Sequence, residues 1–256
     1  MKNNLKIGFT TFCTQDYIDI LNNLVESVLL FSKYEITIFS INFDYVHPSP
    51  KVKSKRVDLS HPTYHEICKI KVISSVENNY DVGMVLDCDM IVTKDIDSIF
   101  DENMEKVLSS KFPLFAKHPH DPFSNPNHPG IHLIKHITDK KPKMKWVFAS
   151  YIFSDKNKWF LKEVIETMDT HSLPGEDEII INALLVKYEV SYDIGYNYLP
   201  NALESNLHDY LNNTISHELK TCYLDYECPV KFYTFHGHLC KNANEGKKFI
   251  NEIKNL

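Results

Sequence analysis

The sequence predicts an α/β protein: a sheet with parallel strands and helices packed over its faces. Three observations carry that expectation. Short β-prone runs alternate with stretches of helical periodicity through the first half of the chain. One of those runs, Val82–Leu86, contains no polar side chain, as a strand buried on both faces requires. The chain has 256 residues and is 43% hydrophobic, which suffices for a sizeable core.

The elements follow in order. Lys6–Phe12 (KIGFTTF) reads as a short strand, and Gln15–Ser32 repeats Ile18, Leu21, Val25, Val28 and Leu29 at helical spacing. Glu35–Phe43 is β-branched and aromatic, hence a second strand. Asp44–Pro62 is polar and holds Pro48, Pro50 and Pro62, so a loop is expected. Tyr64–Asn78 is helical, and Asp81–Val92 is a strand pair or a strand bent after Asp87. Asp95–Phe100 reads as a turn into a short helix, and Phe112–Lys117 as a strand. His118–Lys143 opens with HPHDPFSNPNHPG, a loop composition, with a short helix or strand expected at Ile131–Ile137. Val147–Phe153 is strand-like, and Ser154 is placed to cap a helix over Asp155–Met168. Pro174-Gly175 makes a turn, and Glu176–Tyr188 is a further helix. Val190–Ile194 and Lys231–Phe235 are short strand candidates, and Glu245–Leu256 is a terminal helix. No repeat or clean boundary divides the chain, so 1–256 is expected to be one domain with interdependent halves, 1–100 and 101–256.

Composition narrows the function. Lys plus Arg number 28 against 34 Asp plus Glu, a net charge of -6, which disfavours sequence-independent nucleic-acid binding. The local basic stretch Lys135–Lys145 would suit a phosphorylated substrate. No secretory leader is expected at the N-terminus, and no run approaches the roughly 18 apolar residues of a membrane span. Six widely spaced cysteines fit reduced thiols in a cytoplasmic protein. Cys222, Cys228 and Cys240 with His236 and His238 lack a C-x₂₋₄-C pair, so structural zinc is not expected there.

The informative segment is VLDCDMIV, where Asp87 and Asp89 close an apolar strand. In an extended chain both would point the same way, with β-carbons about 6–7 Å apart. Two such carboxylates at the end of a buried strand are costly through desolvation and mutual repulsion. A divalent cation removes much of that cost, and Mg²⁺ or Mn²⁺ prefers oxygen ligands shared with phosphates. Strand carboxyl ends open into the ligand crevice of an α/β sheet. The competing reading is a turn with two solvated aspartates.

VLDCDMIVTKDIDSIF resembles the metal-binding segment of GT-A-type glycosyltransferases, especially the family 8-like retaining enzymes. That likeness implies the GT-A fold, a mixed, mostly parallel central sheet with helices on both faces. It also implies a reaction: transfer of a hexosyl group from a nucleotide diphosphate sugar, a UDP-sugar being favoured, to a glycan or other hydroxyl acceptor. KIGFTTF is similar to the family's first nucleotide-binding strand, with Thr10, Thr11 and Phe12 as base-pocket candidates. YHEICKIKVISSV resembles the helix before the metal motif, where Lys69 and Lys71 are candidates for the nucleotide or diphosphate, Lys69 preferred. ASYIFSDKNKWFLKEV resembles the strand and helix that follow the family's sugar- and acceptor-receiving loop. PGEDEIIINALL resembles the acidic segment near the donor sugar, so Glu176 or Asp177 is a catalytic or sugar-binding candidate. FHGHLCKN resembles the closing His-x-x-Gly-x-Lys segment, although Gly237 directly follows His236. It offers His236 or His238 as a metal ligand and Lys241 as a diphosphate contact. Asp89 is the firmer metal ligand by this likeness, and Asp87 divides between metal and ribose.

His118, His120, Asp121, His128 and His132 form a second polar cluster, for which metal binding competes with the favoured reading of a proline-rich loop that could cover an acceptor. A haloacid-dehalogenase-like phosphohydrolase also uses D-x-D with Mg²⁺, but on its first strand. A nucleotidyltransferase would carry a glycine-rich N-terminal loop, and KIGFTTFCTQD does not. The reading of a different class is a non-catalytic nucleotide-sugar or carbohydrate-binding protein of the same fold.

Overall fold

The structure is a computed structural model that describes residues 5–92, 96–117, 122–125, 127–171, 177–191, 204–206, 232–234 and 243–254. Its main sheet has six strands. In chain order they are β1 (Ile7–Thr14), β2 (Glu35–Ile41), β3 (Val52–Val57), β4 (Val82–Val85), β6 (Leu114–Lys117) and β7 (Val147–Ser154). They lie side by side as β3-β2-β1-β4-β7-β6. The β1/β2, β2/β3 and β1/β4 pairs are parallel, whereas β7 runs antiparallel to both β4 and β6. A smaller sheet joins β5 (Met90–Val92), β9 (Phe232–Thr234) and β8 (Glu204–Asn206) in the order β5-β9-β8.

Each face of the main sheet is covered. Alternation along β1, β2 and β4 sends Phe9, Cys13, Ile36, Ile38, Val82, Met84 and Leu86 to one side. There they pack on the buried stripe Leu21, Leu24, Val25 and Val28 of α1 (Ile18–Phe31). Ile99, Phe100, Met104 and Val107 of α3 (Ser98–Ser109) close the same layer. The opposite face presents Val85, Tyr151 and Phe153 to α2 (Tyr64–Glu77), α5 (Lys158–Thr170) and α6 (Asp177–Lys187). Helix α4 (Pro129–Ile137) lies outside α6, with Ile134 against Ala183 and Trp146. Ile250 of α7 (Ala243–Lys254) is buried. No described helix is long and apolar enough to cross a membrane.

Local chemistry sets the boundaries. α2 starts on a reciprocal cap: Glu66 N–H donates to Thr63 Oγ1 at 3.3 Å, and Thr63 N–H donates to Glu66 Oε2 at 2.8 Å. Gly83 faces Phe153 across the β4/β7 pair, and a β-carbon there would stand 2.3 Å from the Phe153 ring. Gly83→Ala is therefore expected to destabilise the protein by about 1–3 kcal/mol through overpacking. A drop in the urea unfolding midpoint without a change of slope would verify that cost, and an unchanged midpoint would refute it.

Several boundaries differ from the sequence expectation. The expected loop Asp44–Pro62 contains β3, whose Lys53, Ser54, Lys55 and Arg56 are all exposed. An edge strand with a charged surface lacks the apolar alternation that marks a strand, and those charges protect its open edge. The short element at Ile131–Ile137 is helical, opened by Pro129 with the His128 side chain accepting from Gly130 N–H. The first three residues of the expected helix Asp155–Met168 form a separate 3₁₀ turn. Asn157 Oδ1 there accepts from Ser154 N–H at 2.9 Å. Val190 and Ser191 are not in a strand, and the rest of Val190–Ile194 lies outside the described residues.

Candidate active site

Strand order places the site. From β1 the chain winds to one edge through β2 and β3, then returns to the other side of β1 as β4. The reversal leaves a crevice at the carboxyl ends of β1 and β4, the topological switch point of the sheet. β1 runs on to Thr14, while β4 stops at Val85 and Leu86 N–H still donates to Thr10 carbonyl oxygen at 2.9 Å.

The two aspartates stand at that end, where the chain bends after Asp87 as the bent-strand reading expected, and not in the fully extended geometry. The chain turns after Asp87: Met90 N–H closes on Asp87 carbonyl oxygen at 3.1 Å, with Cys88 and Asp89 in the turn. The two carboxylates therefore do not share one face of a continuous strand. Both residues keep partial exposure. Between them, the Cys88 thiol is pushed far up, first by hydrogen bonding with Cys13 and then by burial and the charges of Asp89 and Asp87. The turn offers the carboxylate oxygens of Asp87 and Asp89 as hard donors.

Asp87 is tied to a buried lysine. Lys71 Nζ lies 2.6 Å from Asp87 Oδ1 and 3.4 Å from Asp177 Oδ2, with only 4% of the lysine side chain exposed. Burial alone would push this ammonium down, but the charges of Asp177 and Asp87 and the Asp87 hydrogen bond outweigh it. The lysine is held well above its ordinary value of 10.5. Asp177 is the first residue of α6 and is itself buried, where the helix N-terminus favours its negative charge. Tyr151, fully buried on β7, reaches Ser75 with its hydroxyl 3.0 Å from Ser75 Oγ, one turn along α2 from Lys71. Its phenol is raised first by burial and then by the charge of Asp177, with Ser75 and Lys71 opposing. Cys68, on the same stripe of α2, has its thiol pushed up to about 12 by burial and by Asp177.

The sequence-predicted residues divide accordingly. Asp87, Asp177 and Lys71 come together. Lys69, preferred over Lys71 from the sequence, points away and pairs with Asp169 of α5. Two residues along a helix are about 200° apart, so both lysines cannot serve one site. Thr10 and Thr11 are fully buried, and their hydroxyls have no hydrogen-bond partner among the described residues. Of the β1 candidates only Phe12 keeps open surface. Glu176, His236, His238 and Lys241 lie outside the described residues, as do His118, His120 and Asp121. Thr234, two residues before His236, pairs with Met90, the residue after Asp89. The lysine bridge to Asp177 and the Tyr151–Ser75 contact were missed in the sequence. The available signal was a lysine inside the stripe Cys68, Lys71, Val72 and Ser75.

Oxygen donors at a strand end fit a hard divalent cation such as Mg²⁺ or Mn²⁺. Among the described residues, no three His, Cys, Asp or Glu side chains are grouped to hold one.

Neither a family model nor a curated protein matches the sequence. Solved structures do match in fold. The galactosyltransferase LgtC, in complex with donor and acceptor sugar analogues, superposes with a TM-score of 0.61 at 13% identity over 97% of this chain and 95% of that one. The chain has a GT-A fold. The bifunctional glycosyltransferase WbbM, in its apo form, matches all of this chain and 52% of its own at 13% identity and a TM-score of 0.62. Apo GlyE from Streptococcus pneumoniae TIGR4, also a glycosyltransferase, gives a TM-score of 0.53 at 15% identity over 98% of this chain and 62% of that one. At such identities the likeness is one of fold.

Proposed function

We propose that this protein is a metal-dependent glycosyltransferase moving a hexosyl group from a UDP-sugar to a hydroxyl acceptor, with retention of configuration, in the cytoplasm. The observation that carries the reading is the D-x-D turn at the switch-point crevice of a GT-A fold, backed by a buried lysine that joins Asp87 to Asp177. LgtC, of the same fold, binds donor and acceptor sugar analogues.

Asp89, with His236 or His238, holds the Mn²⁺ or Mg²⁺. Bound there, the cation supplies Lewis-acid stabilisation of the charge that develops on the diphosphate. Asp87 shares its carboxylate between the metal and the donor ribose, while Lys71 fixes its orientation. Phe12 lines the base pocket and Lys241 neutralises the diphosphate. Asp177, desolvated and charge-matched by Lys71, positions donor sugar or acceptor, with Glu176 beside it in sequence. No side-chain base is required on the retaining path, since the departing phosphate oxygen takes the acceptor proton on the same face.

A thermal-shift screen of UDP- and GDP-sugars, with and without Mn²⁺, tests the assignment. One donor should raise the melting temperature only in the presence of metal. Ligand at 100 times its Kd corresponds to about 2.7 kcal/mol of stabilisation. Absence of any nucleotide effect, together with phosphatase activity lost on Asp87→Asn, would instead assign the turn to a phosphohydrolase.

A further inference from the structure

Helix α4 carries a feature that glycosyl transfer does not use. His132 and His136 stand one turn apart, and both are exposed. They occupy the face opposite Ile131, Ile134 and Ile137, whose side chains pack toward Trp146 and Ala183. Neither imidazole has a hydrogen-bond or ion-pair partner among the described residues. Side chains four apart on a helix have β-carbons about 5–6 Å from each other. Two imidazoles at that spacing can close on one cation through one nitrogen each, water filling the remaining positions.

The geometry points to a metal site on α4, formed by His132 and His136 and selective for a borderline divalent ion of the Zn²⁺ class. Imidazole nitrogen suits Zn²⁺, Cu²⁺ and Ni²⁺, while the carboxylate oxygens at Asp87 and Asp89 suit Mg²⁺ and Mn²⁺. A pair of imidazoles without carboxylates therefore prefers the Zn²⁺ class more strongly than a turn whose donors are mainly carboxylate oxygens. Lys135 shares the exposed face, but its ammonium rides on a flexible stem and can turn into solvent. His128, one turn earlier, is committed to the cap, its Nδ1 accepting from Gly130 N–H at 3.2 Å. An ion bridging residues 132 and 136 holds the last turn of α4 helical. It thereby stiffens the helix that packs on α6, the element that begins with Asp177.

Isothermal titration of the full chain, free of any polyhistidine tag, with ZnCl₂ tests the site. Zn²⁺ should bind in the presence of excess Mg²⁺, and His132→Ala and His136→Ala should each weaken that binding about tenfold or more, the loss of one ligand (~1.4 kcal/mol). The share of Zn²⁺ binding that the two histidine variants lose should persist in Asp89→Ala. Both imidazoles are exposed, so the metal-free variants should keep the wild-type circular dichroism. Trp146 offers a second readout, since its ring lies 5.7 Å from that of His128 at the start of α4. In a Trp159→Phe background, Cu²⁺ should quench Trp146 fluorescence, and His136→Ala should abolish the effect. Zn²⁺ titrations of both histidine variants that match the wild type, or no Zn²⁺ binding at all, would overturn the assignment. No nucleotide sugar enters this test, so its outcome is independent of the proposed transfer reaction.

Discussion

Lys71→Met is expected to lower the unfolding free energy by about 3–5 kcal/mol and to abolish detectable transfer. Lys71 is the buried countercharge to two carboxylates, at 2.6 Å from Asp87 and 3.4 Å from Asp177. Methionine keeps the stem's packing but takes the lysine countercharge away from the buried Asp177 and from Asp87 beside it. One of the two carboxyls must then protonate or the crevice must rearrange, so stability and activity fall together. Chemical denaturation measures the first loss and donor turnover the second. A variant as stable as the wild type would mean that the carboxylates are solvated and the bridge is incidental. The double variant Lys71→Met/Asp177→Asn should recover part of the stability, because it removes the stranded charge, yet it should not recover activity.

The same bridge has a defined pH dependence. A lysine whose folded value lies above its unfolded one contributes stability that is fully present below the unfolded value. That contribution is lost only as pH rises through the folded value. Lys71 is raised, so its share is constant from neutral pH up to the ordinary lysine value of 10.5 and declines only beyond it. Loss of stability or activity between neutral pH and that value must come from another group.

What the sequence revealed and what it hid follow from one distinction, between patterns written along the chain and contacts made across it. The apolar run Val82–Leu86 and the stripe of α1 are periodic, so the strand and helix that frame the crevice were legible. The place of the aspartates at the end of that run was legible too, since it is written along the chain. β3 was not, since its stability comes from backbone pairing with β2 while its exposed side chains carry charge. The choice between Lys69 and Lys71 was not settled either. Both lie on one helix, and only the positions of β4 and α6 decide which face is buried. Asp177 illustrates the same limit. Its place at a helix start was readable, but its ion pair with a lysine 106 positions earlier is a tertiary fact.

Asp89→Ala is expected to separate metal binding from folding. The aspartate sits in the turn between β4 and β5, partly exposed, while Leu86 and Met90 beside the motif are fully buried. Removing its carboxylate leaves the β1/β4 pairing and the Lys71 bridge intact, so the melting temperature without ligand should fall less than in Lys71→Met. Donor binding should lose its dependence on Mn²⁺. Transfer should fall by several kcal/mol of transition-state stabilisation, on the order of 10³-fold. Asp87→Asn makes an informative contrast, because it weakens the Lys71 pair as well as the donor contact and should cost more stability than Asp89→Ala. Titrating Mn²⁺ against donor-induced melting shifts in the two variants reads this difference directly. If Asp89→Ala retained the wild-type metal dependence, the cation would have to be held without this turn. The D-x-D would then be a hydrogen-bonding device for the nucleotide, organised by Lys71 alone.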